Sequence, residues 1–456
     1  MQVLPIVDSQ PSLPAALQDI DDGILPYEDI WISCYSQDVG PSVHAKVLAI
    51  LDERKRDQIN LTMKEGAGDV QISKIHDRAY AVSCKSLDIS STTVLTPVQV
   101  YSDPSSSTPH QPQRISAFDV SPDCTQYAVG HLDGSVYIYP IIATSQPAKY
   151  MPQVITACPH LKKRAKPHLS SVTTMQFFPS SRVLLTAGLD FSLTILPADP
   201  FPDHNPETAV HRISPARVLR SHTRSITGVG IIPARKQVLS SSLDSTTKLW
   251  DIPSGSVITT FSARSPVNSM SVGYQQTAAV DEAETQTLLK DPAHLVFCGL
   301  QSGHFQVLDM RTGMSVFYSS PSSATHGPLA AITCSHQVNP NLFATGSGKG
   351  VVAVYDVRSL TSPLVNFRRN EAGIEDISFL DFTPSSVSES ASGLGLAIAA
   401  SDGLPYVADL NDLGSIKVGV ELAGVNCDAA RGIRTRGRDV WCASDDAAVR
   451  KYSVFL

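Results

Sequence analysis

Five aspartates, Asp133, Asp190, Asp244, Asp402 and Asp446, share one local setting along this chain. Each lies just after one short apolar run and just before another, the setting of a tight turn between two strands. Ser302 and Lys349 fill two further turns of the same kind, and the seven recur at roughly 50-residue spacing. The preceding runs look alike: QYAVG from Gln126, VLLTAG from Val183, QVLSSS from Gln237, HLVFCG from His294, LFATGS from Leu342, LAIAAS from Leu396 and VWCASD from Val440. A period of this length excludes a helical bundle. It asks for a small sheet repeated many times, each copy burying the faces of its neighbours.

The stretch Ser221–Asp251 carries the repeat most fully. Ile226–Ile232, Gln237–Ser241 and Thr246–Trp250 alternate apolar and polar residues, as half-buried strands do. His222, Asp244 and the closing Trp250-Asp251 resemble the landmarks of a WD repeat. The predicted fold is therefore all-β: a seven-bladed WD-repeat β-propeller over residues 93–456, preceded by a small mixed α/β or β-rich N-terminal domain over residues 1–92. The seventh unit stops at Leu456 without an outer strand. Residues 93–102 (TVLTPVQVYS), read as one strand, are expected to complete that blade, because an open ring would expose unpaired strand edges. In the N-terminal part, Ser12 is expected to cap a short helix running through Ile20. Strand-like runs follow at Asp29–Tyr35, Val43–Leu51, Val70–Ile75 and Ala79–Cys84. Insertions at 159–166, 197–212, 274–291 and 385–392 fall between strands.

The chain has 456 residues, 42% hydrophobic and 17% charged, with a net charge of −7. That balance suits a folded protein and speaks against a nucleic-acid partner, which favours a basic face. No run is long and apolar enough to span a membrane, and no secretory leader is expected at the start, MQVLPIVDSQ. The eight cysteines form no Cys-x-x-Cys pair and sit mostly in strand patterns, so neither zinc nor disulfides are expected. A reducing compartment, cytoplasmic or nuclear, follows.

Ser, His and Asp recur at hydrolase-like spacings, His222 with Ser240 and Asp244, and His168 with Thr186 and Asp190. No nucleophile elbow or phosphate loop accompanies them. His168, Asp190, His222, Asp244 and Trp250 are read as a structural hydrogen-bond network, and no enzyme activity, metal or cofactor is expected. The basic run Lys162–Lys166 is read as a solvated loop that could serve as a nuclear signal. Arg431, Arg434, Arg436 and Arg438 are expected on the rim opposite the tight turns. Five acids that the repeat does not require, Glu371, Glu375, Asp376, Asp428 and Asp445, are expected to form one acidic patch on the face shared by entry loops and tight turns.

HLSSVTTMQFFPSSRVLLTAGLD (His168–Asp190) and the Ser221–Asp251 stretch resemble the second and third blades of the proteasomal ATPase-associated factor family. WISCY at Trp31 and SVHAKV at Ser42 fit the same family. Members are WD-repeat chaperones of proteasome regulatory-particle assembly. The resemblance implies a monomer that binds the C-terminal domain of a base ATPase subunit and works beside other assembly chaperones. It also implies an acidic face meeting a basic one, with Glu371 and Asp428 at family-like positions. The alternative reading is a substrate receptor of a cullin–RING ubiquitin ligase. It rests on Leu308-Asp309-Met310-Arg311 and Tyr355-Asp356-Val357-Arg358, which approach the Asp-x-Arg pattern of such receptors.

Overall fold

The alternating run Ile226–Ile232 buries every second residue. It therefore pairs as a strand with Gln237–Ser242, which pairs with Thr246–Asp251, which pairs with Ser256–Ser262, all antiparallel. The second strand is the most buried, since neighbouring sheets cover both of its faces, while the fourth alternates toward solvent. The same sheet recurs along the chain. The computed structural model describes all residues except 38, 53–57, 65–68, 105–112, 144–147, 158–161, 202–210, 233–234, 274–293, 321–325, 336–338, 383–392 and 455–456. The expected insertions at 274–291 and 385–392 lie outside the described residues, as do parts of the other two.

The molecule is nearly all β, with a propeller-like arrangement of sheets. Seven sheets begin on Ile115–Val120, Val172–Phe177, Ile226–Ile232, Val267–Val272, Leu329–Cys334, Ile374–Phe382 and Ala430–Arg436. These innermost strands pack one against the next, and Ala430–Arg436 returns to Ile115–Val120. We number the sheets one to seven in that order. Apolar clusters fill the gaps between them. Leu185 and Ala187 of sheet two meet Val238 and Trp250 of sheet three, and Phe297 and Phe305 of sheet four meet Phe343 and Tyr355 of sheet five.

Thr93–Ser102 is not one strand. Ile89–Leu95 pairs in parallel with Lys417–Leu422, the outer strand of sheet six, whereas Gln99–Ser102 pairs with Ala448–Ser453 of sheet seven. Pro97, which has no N–H to donate to a ladder, lies in the break. Gln153–Thr156 then adds outside Gln99–Ser102, so three separate parts of the chain build sheet seven.

The start of the chain is stitched onto the ring. Gln2–Val3 pairs in parallel with Val365–Arg368 of sheet five, and Val70–His76 and Ala79–Cys84 extend sheet six beyond Ile89–Leu95. The expected domain boundary at residue 92 thus falls within a strand of sheet six. Ile6–Ser9, Tyr27–Tyr35, Val43–Leu51 and Ile59–Met63 form a separate four-stranded sheet. A helix, Leu13–Asp21, packs Leu13, Ala16, Leu17 and Ile20 against Ile30, Ala49 and Ile59 of that sheet. Ser12 precedes the helix, but its side chain makes no cap; it accepts from Gln10 Nε2 instead. A buried ion pair fixes the junction. Glu421 of sheet six binds the Arg369 guanidinium and accepts the Val7 N–H at 3.0 Å.

Candidate interaction face and central channel

The tight turns and the loops entering each sheet share one face, because each entry loop meets the turn of the neighbouring sheet. His168 donates its backbone N–H to the Gly134 carbonyl, and a side chain at Gly134 would collide with the His168 carbonyl. In sheet three the full network forms. His222 Nδ1 lies 2.8 Å from Asp244, His222 Nε2 lies 2.7 Å from Ser240 Oγ, and Trp250 Nε1 donates to that same Oγ at 2.8 Å. In sheet two, His168 bridges Asp190 and Thr186 at 3.0 Å each, and Leu196 stands where Trp250 does, so no indole completes the set. Burial holds both imidazoles below their usual pKa, against the raising pull of Asp190 and Asp244. Burial alone would raise those carboxylates. His168, Ser192 and the Leu169 N–H hold Asp190 low, while Thr246, Thr223 and His222 hold Asp244 low. The imidazoles, carboxylates and hydroxyls of the two networks are thus partnered with one another.

Sheets one, six and seven use other groups at this position. Asn370 donates to Asp402 at 2.6 Å, and Arg450 clamps Asp446 together with Ser444. In sheet one the Asp133 carboxylate accepts from Ser135 alone among neighbouring side-chain hydroxyls, and His131 turns to the Arg114 carbonyl.

The five candidate acids are not one patch. Glu371 and Asp428 are exposed on the loops entering sheets six and seven and form no ion pair among the described residues. The other three face the central channel and are paired. Arg431 binds Glu375 at 3.0 Å and Asp445 at 2.9 Å, and Arg434 binds Asp376. Expecting these acids to serve a partner overlooked long-range neutralisation within the ring.

The channel has a volume of about 1580 Å³ and is lined by the innermost strands. Arg431, Arg434 and Arg436 belong to its wall, on Ala430–Arg436, not to the far rim where exposure was expected. The three arginines are half-buried there, and an open channel tolerates the charges that a sealed core would not. Arg434 reaches both neighbouring sheets: Asp119 of sheet one at 3.2 Å and Asp376 of sheet six. Asp119 also accepts the Phe177 N–H of sheet two at 2.7 Å, and Asp376 the Ile433 N–H at 3.0 Å. Elsewhere hydroxyls do this work, as where Thr173 and Thr227 donate to Ile226 and Val267 carbonyls of the next sheet.

Residues 213–251 match the family model described as WD domain, G-beta repeat. This segment is a WD repeat. It begins four residues before Arg217–Arg220, the outer strand of sheet two, and ends on the third strand of sheet three, so the repeat unit straddles two sheets and staples them. No curated protein matches the chain. A WD repeat of this kind builds scaffolds for protein–protein contact.

The basic run is also not the solvated loop expected. Lys163–Ala165 is the fourth strand of sheet one, between Val136–Pro140 and His211–Arg212, Lys162 pairs with Asp103 at 2.6 Å with both side chains buried, and Lys163 lies over the Phe201 ring. Burial lowers the Lys163 pKa. The sequence reading also passed over large apolar residues exposed in the turns of sheets one and two. Their signal was there: a leucine before the turn aspartate at 132 and 189, and a phenylalanine after it at 191.

Proposed function

We propose that this chain is a non-enzymatic protein-binding scaffold, a seven-bladed WD-repeat propeller that acts as an assembly chaperone of the proteasome regulatory particle. Its partner is the C-terminal domain of a base ATPase subunit, met through Glu371 and Asp428. The carrying observation is that these two acids are exposed on adjacent entry loops and form no ion pair among the described residues, unlike Glu375, Asp376 and Asp445. The turn of sheet six lies against the Asp428 loop, where a side chain at Gly403 would strike the Asp428 carbonyl, so the two loops belong to one continuous surface. Exposed carboxylates steer a basic partner and set its orientation while adding little affinity. That suits a chaperone that must leave. The WD repeat at 213–251 and the cyclic packing of the innermost strands support the propeller.

The test is capture of purified base ATPase C-terminal domains by the full chain. Glu371→Lys with Asp428→Lys is expected to weaken binding by about tenfold or more at low salt, chiefly through the association rate. Unchanged binding by a folded double variant refutes the reading. The ligase-receptor alternative predicts instead that Arg311→Ala with Arg358→Ala abolishes adaptor capture. Its motif arginines fold back on Asp309 and Asp356 of their own turns.

A further inference from the structure

The seven tight turns each place one residue in the left-handed region: Gly134, Phe191, Ser245, Gly303, Gly350, Gly403 and Ala447. Four are glycine, which adopts it without strain. Phe191 is the outlier, at φ +66°. A bulky side chain there is strained, and nothing in the core repays it, for Phe191 is 42% exposed. It is not isolated. Leu189 on the same turn is 44% exposed, Leu169 on the abutting entry loop 86%, and Leu132 on the turn of sheet one 56%. The Leu169 N–H donates to Asp190, and the Leu189 N–H to the Ser171 carbonyl, so entry loop and turn are tied together. The Gly134–His168 contact joins the turn of sheet one to the same loop.

Positive charge surrounds this apolar centre. Arg220 lies opposite Ser192 in the ladder, next to Phe191. Arg224 is exposed on the entry loop of sheet three, and Arg114 is exposed beside His131, which holds its carbonyl. Lys166 is 4.0 Å from Asp133, both largely exposed. Three acids lie against these four cations: Asp133 faces Lys166, and Asp190 and Asp244 keep their negative charge beneath the surface in their histidine networks. The cations are the outermost of these groups and exceed the acids by one, and they lie on the same face of the ring as Glu371 and Asp428.

We propose that the turn face of sheets one and two is a second docking surface, specific for an acidic amphipathic protein segment. Large apolar side chains of the segment seat on Leu132, Leu169, Leu189 and Phe191. Its carboxylates meet Arg114, Lys166, Arg220 and Arg224. An apolar centre within a polar, complementary rim is how protein interfaces concentrate binding. The strain at Phe191 then has a use: the left-handed backbone holds the ring out of the sheet. The proposal does not depend on what Glu371 and Asp428 bind.

The test uses the full chain and a fluorescein-labelled peptide about five helical turns long, with Leu and Phe on one face and Glu and Asp on the other. A copy with Glu and Asp changed to Lys and a copy with Leu and Phe changed to Ser are the controls. The acidic peptide is expected to bind at least about tenfold tighter than either copy. Arg220→Glu with Arg224→Glu is expected to reverse the charge preference. Phe191→Gly is the sharpest arm. It is expected to weaken binding by about tenfold while the thermal midpoint stays or rises, since glycine relieves the turn. No binding of the acidic peptide, equal binding of the lysine copy, or unaltered binding by Phe191→Gly overturns the proposal. So does a lowered midpoint in Phe191→Gly, which would make the ring a packing element. Binding to phosphatidylserine vesicles but not to the acidic peptide overturns it in favour of a membrane surface.

Discussion

Arg434 ties three sheets together, and replacing it by Met tests how the ring is closed. The guanidinium meets Asp119 of sheet one and Asp376 of sheet six from its own place in sheet seven. Burial opposes its charge, yet the two carboxylates hold its pKa above the ordinary value. Removing one member of a buried ion pair costs about 3–5 kcal/mol, because the remaining charge is stranded. Here the Arg434 side chain keeps 26% exposure to channel water, while Asp119 keeps only 3%. Asp119 also retains the Phe177 N–H and a longer contact to Arg436 at 3.4 Å. These reduce the expected loss to about 2–3 kcal/mol. Urea unfolding followed by tryptophan fluorescence reads it, since Trp441 is fully buried in the same sheet. Adding Asp376→Asn to Arg434→Met removes one stranded charge and is expected to recover at least about 1 kcal/mol. A loss below about 0.5 kcal/mol for the single variant, or a double variant no better than it, refutes the closure argument.

The histidine networks make stability depend on pH. His168 and His222 titrate lower in the folded chain than in the unfolded one, so the unfolded state takes up protons first and stability rises with pH. Their contribution is complete above about pH 6.5 and is lost as pH falls toward the depressed folded values. Urea midpoints between neutral and mildly acid pH should show this slope, and a His168→Asn, His222→Asn variant should flatten it. In sheet seven, Val100 lies between Arg450 and Val154 in the ladders, so Val100→Pro should cost about 3 kcal/mol or more and promote association through the opened edge. Size-exclusion chromatography and urea unfolding check both effects, and a monomer of unaltered midpoint counts against edge protection.

Local chemistry made the repeating sheets legible. An aspartate flanked by two alternating runs specifies a turn whether or not the rest of the chain is known, and His222, Ser240 and Trp250 sit together because one short loop and three adjacent strands carry them. What the sequence concealed was decided between residues far apart in it. Ile89–Leu95 looks like any strand, and only parallel pairing with Lys417–Leu422 assigns it to sheet six. Arginines at 431, 434, 436 and 438 read as an exposed rim, and only closure of the ring places 431, 434 and 436 on a strand that lines the channel. The acids at 375, 376 and 445 resemble those at 371 and 428 in every local respect. Their difference lies in Arg431 and Arg434, which the register of sheet seven brings to them.

That difference governs what the ring can present to a partner. Between sheets two, three and four, hydroxyls and carbonyls join the innermost strands, and no charge is used. Across sheets six, seven and one the joints are ionic, and their carboxylates are already occupied. On the proposed reading, a partner drawn by negative charge meets Glu371 and Asp428, which form no ion pair among the described residues. The apolar, basic-rimmed turns of sheets one and two lie on the same face but repel such a partner. On the two proposed readings, a ligand protein meeting both sectors docks in one orientation, and that orientation follows from which carboxylates the closure of the ring has consumed.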